Sequence, residues 1–166
     1  MLKIKKVLCA IIIVLLFTVP KVYADSTTTL NLIKQNEGLV LKPYKGPKGS
    51  LLIGYGHNLG VNGIPKEIAD YLLLLDVRVA EIHLRSIFIN FKTFSKNRKT
   101  ALTDMMYCMG KKNFLTLKKT IKAIKQNNWR KAANEIEKSL WYRKFTTRST
   151  KDIKLLCPDY FENSYR

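Results

Sequence analysis

The chain has 166 residues, with 30 Lys and Arg against 12 Asp and Glu and a formal net charge of +18. That length bounds the fold at one domain with a processed end. The charge favours polyanionic partners, but the lysines form no dense block, and the two histidines and three cysteines show no metal-ligand spacing, so neither a metal centre nor a cofactor is expected.

The first 24 residues read as an export signal. Lys3, Lys5 and Lys6 form a positive start, Val7 to Val19 is an almost unbroken apolar run, and Val22-Tyr23-Ala24 places a small residue before Asp25. Cleavage is expected after Ala24, leaving residues 25–166 as the folded domain. The apolar run falls short of the roughly 20 residues that a membrane span needs; an uncleaved anchor is the alternative. The expected location is therefore secreted or periplasmic. Loss of the four leader lysines leaves a formal charge of +14. Export argues against nucleic acid as a partner and for an anionic wall or membrane surface. Cys108 and Cys157 remain after cleavage, and a disulfide between them is left open.

"DSTTTLNLIKQNEG" opens with N-cap residues, carries Leu30, Ile33 and Glu37 at helical spacing, and stops at Gly38. Glu37 is thus expected at a helix C-terminus, where the dipole disfavours negative charge. Partial burial there would raise its pKa and suit a proton donor. Leu39–Lys45 and Leu51–His57 read as two strands joined by Gly46-Pro47-Lys48-Gly49. Gly54 and Gly56 weaken the second strand unless a bulge or a closely approaching polymer requires them. Asn58–Gly63 reads as loop. Pro65 opens a long helix, apolar along Ile68, Leu72, Leu75, Val79 and Ile82, that ends about Ser86.

The remainder reads as helical. Ser95 caps a segment ending near Gly110, a second helix covers roughly 115–126, and "NNWRKAANEIEKSLWY" places Trp129, Ala132, Ala133, Ile136 and Leu140 on one face. A short helix covers Thr150–Leu156. The fold class is α+β, with a small N-terminal lobe bearing a β-hairpin, a long connecting helix and a helical C-terminal lobe.

Hydrolysis of a glycoside with inversion needs one carboxylic acid to protonate the leaving oxygen and a second group to activate water. Glu37 is a candidate for the first. From Gly38 to Lys66 there is no further acid. Tyr44 and Tyr55 are candidates to stack on sugar rings, or they pack the strands.

The segment from Glu37-Gly38 through Leu41, Tyr44 and Gly49 to Ile53-Gly54-Tyr55-Gly56-His57 resembles the active-site hairpin of the phage T4-type lysozymes. "IPKEIADYLLLLDV", "MMYCMG" and "NNWRKAANEIEKSLWYRKFTTR" are similar to later family segments in the same order. The resemblance implies a T4-lysozyme-like fold and Glu37 as catalytic acid. It implies that His57 and Asp76 form a structural salt bridge, that Arg148 pairs with the catalytic glutamate, and that Trp141 is a core aromatic. Three positions depart from the family. Gly46 stands at its aspartate, Leu52 at its water-positioning threonine, and Cys108 at a polar cleft residue that is usually glutamine.

The expected function is a secreted muramidase that hydrolyses the glycan strands of peptidoglycan, with Glu37 as general acid and water held by another group, such as Asp152 of the C-terminal lobe, or by the substrate itself. A monomer is expected. The alternative is a catalytically impaired peptidoglycan-binding or adaptor domain, because Gly46 and Leu52 remove the water side of the site. A third reading is a cationic protein that permeabilises anionic membranes.

Overall fold

The structure is a computed structural model that describes residues 22–162, with side chains from Thr27 onward. It divides into two compact units, 1–65 and 66–166. Most of the expected leader lies outside the described residues; its last three fall in the first turn of α1. Among the described residues no helix is long and apolar enough to cross a membrane.

In the first unit, helix α1 (Val22–Glu37) runs into a three-stranded antiparallel sheet of β1 (Val40–Lys45), β2 (Leu51–Gly54) and β3 (His57–Asn58), followed by the one-turn helix α2 (Leu59–Asn62). The third strand and α2 replace the expected end of the second strand and the loop after it. Asn58 explains α2: its side-chain oxygen accepts from the Val61 amide at 3.1 Å, which caps the first turn. The β1–β2 turn is set by its residues. The Gly49 amide donates to the Gly46 carbonyl at 2.9 Å and the Gly46 amide to the Ser50 carbonyl at 2.8 Å, while Gly49 takes a φ of 78°. Pro47 at the second turn position and a left-handed glycine at the fourth suit this geometry. Register passes from Val40↔Gly54 to Tyr44↔Leu52, so β1 bulges between Val40 and Tyr44. Pro43 lies in that bulge, where its missing N–H costs no ladder bond. Gly54 and Gly56 have φ of 68° and 83°, so the backbone itself requires them as it leaves β2 for β3.

The second unit holds the buried core. It comprises α3 (Lys66–Ile87), a 3₁₀ turn (Phe91–Thr93), α4 (Lys96–Phe114), α5 (Lys118–Lys125), α6 (Trp129–Glu137), α7 (Leu140–Lys144), α8 (Thr146–Leu156) and a last 3₁₀ turn (Pro158–Tyr160). Ala80 and Leu84 are the α3 residues buried in this core, whereas Ile68, Leu72, Leu75, Val79 and Ile82 are exposed. Ser95 caps α4 as expected, accepting from the Arg98 amide. Gly110, at φ 68° and ψ 162°, kinks α4 rather than ending it. The face predicted from Trp129 to Leu140 holds through Ile136, all buried. It fails at Leu140, which is 76% exposed, because Ser139 starts a new helix by accepting from the Tyr142 amide at 3.1 Å. Phe94 meets Trp129 edge-on at a ring distance of 4.9 Å. The Arg98 guanidinium lies 4.2 Å from the centroid of the same indole, a geometry that favours cation–π attraction.

One core residue is a carboxyl. Asp152 on α8 is 3% exposed, and its Oδ2 has no hydrogen-bond partner. Burial first, and then the neighbouring Asp104 carboxylate, push its pKa up to about 8, against a partial opposing pull from Arg148. An unfolded aspartate titrates at about 3.9. The folded chain therefore binds the extra proton between those values, and stability falls as pH rises from about 4 to about 8. Asp152→Asn keeps the shape and stays neutral. Its melting temperature, relative to the parent chain, is expected to rise steadily across that window when both are followed by thermal unfolding at pH 5 and pH 8.

Candidate active site

Glu37 is the last residue of α1. Gly38, at φ 68°, ends the helix, and its amide donates to the Lys34 carbonyl at 3.2 Å. A left-handed glycine just past the last turn is a common helix terminator. The carboxylate then lies against the next glycine-rich bend: a Cβ built on Gly56 would sit 3.6 Å from Glu37 Oε2. Glu37 is exposed, so the condition of partial burial under which its pKa would rise is not met. Lys34, one turn earlier, places its ammonium 5.9 Å from the centroid of the Tyr55 ring. Tyr55 is 38% exposed. Tyr44 is half-buried and pairs across the ladder with Leu52, which puts the two side chains on one face of the sheet.

Two of the three departures, Gly46 and Leu52, lie against each other. A Cβ on Gly46 would lie 2.7 Å from Leu52 Cδ1 and 3.3 Å from its Cγ. Gly46 is not among the glycines of positive φ, so its backbone alone does not demand glycine. What holds the position small is the leucine. The leucine, at the position where the resemblance implies a hydroxyl, occupies the volume in which a side chain at 46 would begin.

His57 finds a partner within its own unit. Its Nε2 donates to the Gly63 carbonyl at 2.6 Å, tying β3 to the end of α2. In the second unit, Asp76, Cys108 and Arg148 line one cavity of about 510 Å³, so three expected site residues are brought together there. Arg148, for which the resemblance implies the catalytic glutamate as partner, forms a bidentate pair with Asp104, Nε to Oδ2 at 2.6 Å and Nη2 to Oδ1 at 2.8 Å. Those bonds raise the arginine's pKa further. Asp104 was not singled out by the sequence; an acid at the buried edge of α4, one turn before Cys108, was the available signal. Asp152, expected as a water-holding group, is instead a buried neutral acid behind this pair. Low dielectric disfavours its ionised form, which removes it as a base.

Trp141 is buried as expected, at 6% exposure, but its indole Nε1 has no acceptor. It lines a cavity of about 970 Å³ together with Cys108. A thiol is a weak acceptor, so Cys108 offers this cavity little hydrogen-bonding capacity. Cys108 and Cys157 are both free thiols. Burial raises the pKa of Cys157. Among the described residues no group of three or more His, Cys, Asp or Glu is placed to hold a metal ion.

The sequence matches a known family over most of its length. The family model described as phage lysozyme covers residues 34–151. The chain belongs to the phage lysozyme family. Two relatives from Dictyostelium discoideum support this. "Probable T4-type lysozyme 2" is 27% identical over 154 residues, covering 75% of this chain and 91% of the relative. "Probable T4-type lysozyme 1" is 26% identical over 155 residues, covering 76% and 91%. Phage lysozymes are glycoside hydrolases, and the mostly helical fold with its small antiparallel sheet is the α+β architecture of this class.

Two measurements probe the family departures. Gly46→Asp alone is expected to lose about 1–3 kcal/mol in urea unfolding, the usual range for overpacking. Combined with Leu52→Thr, which has no Cδ1, the loss should be smaller than the sum of the single losses, as a double-mutant cycle reads directly. Cys108→Gln adds an amide oxygen to the cavity that Trp141 also lines; a bond from the indole to it is expected to gain about 1 kcal/mol, with Cys108→Ala giving no such gain. The indole proton resonance of Trp141 should move only in the glutamine variant.

Proposed function

We propose that the chain is an exported muramidase that cleaves the β-1,4 bond between N-acetylmuramic acid and N-acetylglucosamine in peptidoglycan, with Glu37 as general acid. The observation that carries this reading is the placement of Glu37. It is the single carboxylate among residues 27–65, it is exposed, and it lies at the end of α1 beside the Gly56 bend. The lack of side chains on Gly54 and Gly56 leaves backbone open beside it for an extended polymer. Tyr55, on the same bend, offers a partly exposed ring suited to stacking on a sugar. The protonated carboxyl gives its proton to the glycosidic oxygen as that bond breaks. The leader sequence supports export, the basic surface supports retention on an anionic wall, and family membership supports peptidoglycan as the substrate class.

The contact between Leu52 and the Gly46 position favours a second reading, a peptidoglycan-binding domain with impaired catalysis. An apolar side chain packed there neither orients water nor takes its proton.

The two readings separate on purified cell-wall sacculi. Glu37→Gln removes the proton donor from an exposed position, so the variant should keep the melting temperature of the parent chain. Its release of soluble muropeptides is expected to fall about 10²–10⁴-fold while co-sedimentation with sacculi persists. Equal release by both proteins overturns the assignment of Glu37, and sedimentation without release by either supports the binding domain.

A further inference from the structure

Cleaving a glycosidic bond takes a proton for the departing oxygen and a nucleophile for the anomeric carbon. An inverting site supplies the nucleophile as water, activated by a second carboxylate on the opposite face of the sugar about 6.5–9.5 Å from the acid. A retaining site uses a second carboxylate as nucleophile at about 5–5.5 Å. Residues 27–65 of the unit that carries Glu37 provide neither. Residues 27–65 contain no other Asp or Glu. His57 Nε2 is committed as a donor to the Gly63 carbonyl. Gly46 has no side chain, and Leu52 fills the space in front of it with a methyl group. Two acids of the second unit are also committed: Asp104 has both oxygens on Arg148, and Asp152 is buried.

A lone carboxyl can still complete the reaction if the arriving oxygen approaches from the face that the departing oxygen leaves, because one group then serves first as acid and then as base. In a β-1,4-linked N-acetylmuramic acid residue the departing oxygen is on the β face. So is the C6 hydroxymethyl group of the same ring. It is tethered, and an oriented intramolecular group reacts with an effective molarity on the order of 10⁵–10⁸ M. Free water has no such advantage here, since nothing described on the hairpin holds it.

We propose that Glu37 cleaves the glycan with the substrate's own C6 hydroxyl as the final nucleophile, releasing 1,6-anhydromuramic ends. The proposal rests on the reading of Glu37 as the general acid. The steps balance without water. The Glu37 carboxyl protonates the glycosidic oxygen, the bond from C1 to that oxygen breaks, and the N-acetylglucosamine side leaves as an alcohol. The 2-acetamido carbonyl oxygen bonds to C1 from the opposite face, as in substrate-assisted glycosidases. The C6 oxygen then attacks C1 from the β face, the acetamido–C1 bond breaks, and the hydroxyl proton passes to the Glu37 carboxylate. The acid is restored, and the product is an intramolecular acetal lighter than the hydrolytic one by one water. In this chain the family's acid is kept while the nucleophile is changed.

The test is to digest sacculi with the full chain in water enriched in heavy oxygen and to weigh the released muropeptides without chemical reduction. The expected result is a majority of anhydro ends carrying no heavy oxygen, all lost in Glu37→Gln. A majority of reducing ends labelled with heavy oxygen, still lost in Glu37→Gln, overturns this inference and leaves the Glu37 muramidase reading standing. Absence of release, or release that Glu37→Gln does not reduce, overturns both.

Discussion

Gly38 takes a positive φ one residue after Glu37, and most of the site's character follows from that stop. The helix cannot continue, so the carboxylate is fixed at its C-terminal end and the chain turns directly into β1. The next constraint is Gly56, whose φ of 83° bends the backbone past the Glu37 carboxylate. The position of the acid is set by these two glycine turns rather than by burial. It therefore stays open to solvent and to a polymer, which suits a proton donor to a large external substrate. The same economy leaves the site with little else: the sheet is small, and no described residue of this unit is fully buried.

The second unit is organised around a different kind of constraint. Arg148 reaches from α8 to grip Asp104 on α4, and Asp152 lies on the same helix one turn further on, dehydrated and neutral at ordinary pH. A bidentate guanidinium–carboxylate pair is directional as well as attractive, so it fixes the register of α8 against α4. The neutral acid beside it means that the pair faces no second negative charge. Trp141 adds an unpaired donor to the same lobe. Unmet polar groups of this kind generally cost stability, and both lie near positions where the resemblance locates functional side chains.

Much of this was legible in the sequence, for identifiable reasons. The stop at Gly38, the turn over residues 46–49 and the cap at Ser95 are local signals, and each was realised. The apolar face of α6 was readable from its period because the whole face is buried in one unit. The failures mark where local and tertiary signals part. Leu140 continued the period, yet Ser139 capped a fresh helix and turned it outward. Gly110 read as an end, but the chain resumed helical geometry beyond a single left-handed residue. Asp152 read as a polar residue available for chemistry because sequence shows charge and not burial. The contact between Leu52 and the Gly46 position was invisible because it depends on register across the hairpin, which the bulge at Pro43 shifts.

That contact also sets an order of least resistance. With leucine at 52, a side chain added at 46 begins 2.7 Å from Leu52 Cδ1, so a carboxylate entering the turn first must push that methyl aside. A change at 52 that removes the δ carbons meets no such obstacle, since position 46 is still glycine. The easier path toward a second carboxylate on the hairpin thus runs through 52 before 46.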